Sequence, residues 1–189
     1  MTALTGVFLT QQRQFDSTTI LRSLAYSVAL SIREAQTYGL SVRSFQTASD
    51  TKKFPAYGIY FNPSPTTGNP KEYFLFADVN DNGLYDPATE FVDKYTLQGN
   101  FVISDICATR SSPTPECFQD GFFTELAITF RRPNPDACFA TEGPYSDACG
   151  STQNTAYSEV YIEIQGSGGS TRKVTVRTSG QISVGALGS

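Results

Sequence analysis

Between Asp78 and Asp86 the chain reads DVNDNGLYD, which sets oxygen-bearing side chains at relative positions 1, 3, 5 and 9 and a glycine at position 6. That order suits a calcium loop. Asp78, Asn80, Asn82 and Asp86 would converge on one hard cation, the Leu84 carbonyl would supply a further ligand, and Gly83 permits the sharp turn. The twelfth position is Thr89 and Glu90 comes one step late, so the EF-hand signature is incomplete. From Glu72 to Asp93 six acids occur with no Lys or Arg among them, and crowded carboxylates repel unless a cation or water screens them. Asp-Asn-Gly is also a strong turn signal. A Ca²⁺ site on Asp78, Asn80, Asn82, Leu84, Asp86 and Glu90 therefore stands beside a solvated turn as the two readings of this segment. Carboxylates such as Asp81 and Asp86 are the acid–base chemistry on offer, and nothing in the sequence supplies an apolar pocket to tune one of them.

The chain of 189 residues contains no histidine. Ser-His-Asp and Cys-His nucleophile pairs, imidazole bases and His-ligated metals are thereby excluded, so no catalytic residue and no small-molecule substrate are expected. The four cysteines, Cys107, Cys117, Cys138 and Cys149, lie in a middle region that reads as loops, and none of them forms a C-x-x-C pair. Zinc sites usually bring ligands two to four residues apart, which favours disulfides and an oxidising compartment. Three pairings are open; joining nearest neighbours would close two loops of about ten residues, each stabilised by roughly 3 kcal/mol. After Glu163 no acid occurs, so Arg172, Lys173 and Arg177 form a locally basic tail, the clustering that DNA phosphates or other anions require. A solvated hairpin face explains the same residues.

These groups need elements to position them. Ile20, Leu21, Leu24, Ala25, Val28, Ile32 and Ala35 recur at helical spacing. They predict a helix over about 17–39, with Asp16 or Ser17 as N-cap, Gly39 as C-cap, and a wet face of Arg22, Ser23, Ser27, Arg33 and Glu34. Leu21, Leu24, Val28 and Ile32 are its expected packing residues. Past Ser49 short segments rich in Tyr, Phe, Val and Ile predict eight strands, at 57–61, 73–76, 91–97, 101–106, 126–130, 160–164, 173–177 and 181–184. Gly166 to Ser170 reads as a hairpin connection. A long Pro-, Asn- and Ser-rich loop is expected from Arg131 to Tyr157. Helix first and strands afterwards predict an α+β domain in which one long N-terminal helix packs on antiparallel sheets of about six to eight strands. Residues 1–16 would be a linker remnant of a truncated hydrophobic helix, 17–189 a single globular domain, and 54–185 its β-rich head. The charge of −4 and the 39% apolar share suit a globular chain with a substantial core.

The run from Leu21 to Gly39, LRSLAYSVALSIREAQTYG, resembles the second half of the long helix of type IV pilin-like proteins. The nearest likeness is to the H-type minor pseudopilins of type II secretion and related minor pilins. Arg172 to Ile182, RKVTVRTSGQI, is similar to the C-terminal hairpin of that family. The basic leader, prepilin peptidase site and early Glu of such proteins have no counterpart here. Met1 to Leu9 is accordingly expected to be what remains of a longer hydrophobic segment.

The resemblance implies a pilin-like fold and a structural subunit of a secretion pseudopilus or type IV pilus. Such a subunit would be anchored in the bacterial inner membrane by a missing N-terminal helix, with its head in the periplasm or outside the cell. Its partners would be other pilin or pseudopilin subunits and cargo. The alternative is a pilus-tip module that holds DNA or a surface ligand through Arg172, Lys173 and Arg177.

Overall fold

The computed structural model describes residues 2–46, 51–110, 114–141, 157–166 and 168–186, with side chains of the helix from residue 18 onward. The sequence has no proline before Pro55, and a single helix of 39 residues, α1 (Thr2–Leu40), occupies the first part of that stretch. It starts earlier than the predicted 17–39, and Asp16 and Ser17 lie inside it rather than capping it. Gly39 is also helical. Its missing Cβ lets the last turn press on the strand at Phe130, whose carbonyl a side chain at this position would overlap.

Among the described residues twelve strands follow. The first sheet contains β3 (Ala56–Phe61), β4 (Glu72–Asp78), β5 (Phe91–Thr96), β8 (Leu126–Phe130) and β9 (Ala137–Thr141) in the order β5-β4-β3-β8-β9. The second has β6 (Val102–Thr109), β7 (Glu116–Cys117), β10 (Glu159–Gln165), β11 (Thr171–Arg177) and β12 (Ile182–Gly185) in the order β12-β11-β10-β6-β7. A two-stranded ribbon joins β1 (Phe45–Gln46) to β2 (Lys52–Lys53). Every pairing is antiparallel.

Among the described residues, one helix against twelve strands in three antiparallel sheets makes the fold mostly β. This overturns the expected α+β fold of a long helix on sheets of six to eight strands. The eight predicted strands fall where they were expected, because each is a short run rich in β-branched and aromatic residues. The added strands lie in segments read as loop. β9 sits inside the Arg131–Tyr157 stretch, where Ala137, Phe139 and Ala140 are buried although Pro, Asn and Asp precede them.

The core forms because three amphipathic surfaces meet. Leu21, Ala25, Val28, Ile32 and Ala35 of α1 are completely buried against Ile59, Leu126 and Ile128 of the first sheet and Ile162, Val174 and Val176 of the second, in one continuous cluster. Leu24 is half-buried at its margin. Ile20, assigned to the same stripe from its spacing, is instead 49% exposed, since it lies about 100° around the helix from Leu21. Glu34 departs from the expected wet face. Its carboxylate accepts hydrogen bonds from the hydroxyls of Tyr38 at 2.6 Å and of Tyr95 on β5 at 2.8 Å.

Cys107 and Cys117 occupy opposed positions on β6 and β7 and are joined in a disulfide. Cys138 lies on β9 and is also disulfide-bonded; Cys149 lies outside the described residues. The cysteines at 107, 117 and 138 therefore sit on strands rather than in loops. Replacing Ile32 by Ala should lower the unfolding free energy by about 2 to 5 kcal/mol, while Leu30→Ala should change it by no more than about 0.5 kcal/mol. Urea denaturation of both variants measures the contrast.

Candidate functional site

The acidic segment connects β4 to β5 and folds back over the outer face of the first sheet. Leu84 and Tyr85 pack there against Phe76, Ala127 and Ala140, and the Tyr85 ring stacks on Phe74 with centroids 5.7 Å apart. Leu84 thus anchors the loop by its side chain, a role its place in a ligand series did not reveal. With this fixed, the backbone of residues 79–86 turns sharply, through Asp81 at φ 65° and Gly83 at φ 74°. Its N–H groups point inward and need acceptors.

The acids provide them. Asp78 is only 3% exposed, and its two carboxylate oxygens accept the N–H groups of Asn82 and Gly83, both at 3.0 Å. Glu90 is fully buried. Its Oε1 accepts from Val79 at 2.9 Å and Asn80 at 3.4 Å, and its Oε2 from Asp86 at 2.9 Å. Asn80 accepts the Asn82 N–H, Asn82 accepts the Leu84 N–H, and Asp86 accepts from Ala88 and the Thr89 hydroxyl. The six residues expected to bind Ca²⁺ are brought into one loop, and the side-chain oxygens of Asp78, Asn80, Asn82, Asp86 and Glu90 accept N–H groups of its own backbone. Glu90, which looked misplaced by one position, is the acceptor at its centre. Burial raises the carboxyl pKa of both Asp78 and Glu90, and the backbone N–H bonds partly offset it.

Among the described residues, the group of three metal-ligating side chains whose ligand atoms converge is Asp105, Cys107 and Cys117. Both sulfurs there are bonded to each other, so neither offers a thiolate.

The basic tail is divided. Alternation along β11 sends Lys173 and Arg177 to one face and Arg172 to the other. Glu159 stands opposite Arg177 on β10 and pairs with it at 3.0 Å. Glu163 stands opposite Lys173, whose ammonium lies 3.9 Å above the Tyr161 ring. The acids that balance this hairpin come from the preceding strand, so it presents no unbroken cationic patch.

A groove that the sequence did not single out opens at the end of the first sheet, where β3 begins and β4 and β8 finish. It encloses about 440 Å³ between Lys53, Phe54, Pro55, Asp81, Arg131 and Arg132, with buried Asp78 at its base. Arg131 pairs with Asp81. Arg132 donates to the carbonyls of Phe54 at 2.7 Å and Ser41 at 3.3 Å, and Lys53 donates to the Val79 carbonyl at 3.2 Å. Arg131-Arg132 beside a proline reads in sequence as a plain strand end; only pairing in the sheet brings it to Lys53.

No family model, curated protein or solved structure matches this chain.

Two outcomes test the loop. Glu90→Ala strands three backbone N–H groups; at about 1 to 3 kcal/mol for each buried donor left unpaired, it should destabilise the protein severely, whereas the wild-type unfolding midpoint in calcium against EDTA tests the cation reading, which predicts an upward shift, against the turn, which predicts none. The pH dependence has a definite sign. The raised pKa of Glu90 means that the unfolded chain releases this proton first, so its contribution to stability is greatest below the ordinary glutamate range and falls as pH rises through the elevated native value. The stability difference between wild type and Glu90→Gln, followed by urea denaturation from acid to neutral pH, should therefore shrink as pH increases.

Proposed function

We propose that this chain is a structural assembly subunit of a pilin-like filament, in the manner of a minor pseudopilin or minor pilin, and acts by docking rather than by catalysis. The observation that carries this reading is the outward face of α1. Leu30 is 67% exposed and Tyr26 58% exposed; they stand one turn apart, on the side away from the fully buried stripe. A helix whose only task was to cover a core would place polar residues there. Paired large apolar groups at the centre of the solvent face suit packing against another helix.

The inner side of the same helix is fastened to both sheets. Gln36 donates to the carbonyls of Pro135 and Gly180, each at 3.1 Å, and Glu34 ties it to β5 through Tyr95. A subunit held by its helix would thereby hold its head in a fixed orientation. The Cys107–Cys117 disulfide suits a periplasmic or extracellular head. The likeness of Leu21 to Gly39 to the pilin helix adds to the same reading, with other filament subunits as partners and the inner membrane as the site of anchoring.

A photo-crosslinking residue placed at Leu30 of the full chain in its native cell should capture a filament subunit. Leu30→Glu should abolish that assembly while leaving the unfolding free energy within about 0.5 kcal/mol of wild type, as for an exposed site. Cross-links that never rise above background at either Tyr26 or Leu30 would sink the proposal.

A further inference from the structure

We propose that the groove at the end of the first sheet is a recognition site for an acidic segment of a partner polypeptide, in which side-chain carboxylates pair with Arg131, Arg132 and Lys53 beside the Phe54 ring. This surface is separate from the outer face of α1, and the inference stands or falls independently of the filament reading.

Charge complementarity identifies the occupant. The chain carries a net charge of −4, yet three cations converge on one concavity. Arg132 and Lys53 have no carboxylate partner among the described residues, and both are held in place through backbone carbonyls. Their side chains are therefore partly ordered before any ligand arrives, which lowers the entropy lost on binding. An arginine guanidinium held this way offers its remaining N–H donors in a fixed fork, the geometry that carboxylates match.

The molecule supplies its own stand-in for the ligand. The Asp81 carboxylate lies on Arg131 at the mouth of the groove, presented by a residue in the left-handed region. A carboxylate thus fits against Arg131, and an incoming acid must displace it. Asp78 does not block the floor, because its two oxygens are turned to the N–H groups of Asn82 and Gly83. Phe54 is 49% exposed, with the Arg132 guanidinium 5.9 Å from its ring centroid. It gives a bound peptide an apolar shelf that an isolated anion would not use.

The displacement makes the test specific. Fluorescein-labelled hexaglutamate is titrated into the full chain and followed by polarisation. Asn tolerates the left-handed backbone at least as well as Asp, so Asp81→Asn keeps the loop while freeing Arg131, and it should tighten binding by about three- to fivefold, the range of an exposed ion pair. Lys53→Glu and Arg132→Glu should each weaken binding about tenfold or more. Arg22→Glu on the exposed face of α1 should leave binding unchanged, and binding should weaken steeply as salt rises. Wild-type affinity in both Lys53→Glu and Arg132→Glu would overturn the proposal. So would failure of Asp81→Asn to tighten binding, or a single-stranded DNA oligomer that binds as tightly with the same dependence on these variants. Unfolding curves of all four variants separate lost binding from lost fold.

Discussion

Burial of one face of α1 between two antiparallel sheets is the contact on which the rest of the structure depends. Leu21, Ala25, Val28, Ile32 and Ala35 contribute no exposed surface, and the sheets meet through the same cluster that encloses them. Small side chains decide how closely the parts approach. Ala25, Ala29 and Ala35 let the helix sink between the sheets, and Gly39 lets its last turn touch Phe130. A helix of uniformly large residues would hold the sheets apart and leave their inner faces wet, at roughly 25 cal/mol for each Å² of apolar surface left uncovered.

Once that core is closed, the outward surfaces follow from it. The side of α1 opposite the stripe must face away from the head, which places Tyr26 and Leu30 in solvent. The outer face of the first sheet receives the β4–β5 connection. Leu84 and Tyr85 pin that connection down, leaving Asp78 and Glu90 beneath a tightly turned backbone. Desolvation penalises those carboxylates, and five N–H bonds from the loop compensate them. Of the six acids in this stretch, Asp78, Asp86 and Glu90 accept N–H groups of the loop backbone, Asp81 pairs with Arg131 and Glu72 with Lys94.

The helix face and the groove offer different chemistry for different contacts. Tyr26 and Leu30 form an apolar surface that gains by excluding water, so it suits a lasting association. The groove is charged and open, and attraction between exposed charges is screened by salt, so the capture proposed for it would be reversible. On the two proposed readings, a subunit would remain in an assembly through its helix while its head exchanges partners.

Much of the local structure was legible in the chain. Spacing of three and four marked the stripe on α1, runs of aromatic and β-branched residues marked eight of the strands, and the glycine-rich segment after Gln165 marked a hairpin. These are one-dimensional signals, set by the geometry of the backbone at each residue. Other features depended on segments distant in sequence. Glu159 pairs with Arg177 and Glu163 stands opposite Lys173 because β10 lies beside β11, and Lys53 and Arg131 line one groove because β3 pairs with β8 while β4 brings Asp81 alongside. The oxygen pattern at Asp78 was compatible with a cation and with a turn, since both demand convergent acceptors; only the folded loop showed that its own inward N–H groups bond to those acceptors. The mostly β character was also decided there, because strands as short as β7, or as poorly patterned as β9, exist only where a neighbour supplies the ladder. The sequence by itself determined which residues could face inward along each element. Which elements met, and hence which charges were paired, was decided by the tertiary structure, because charges interact through distances in space that spacing along the chain does not set.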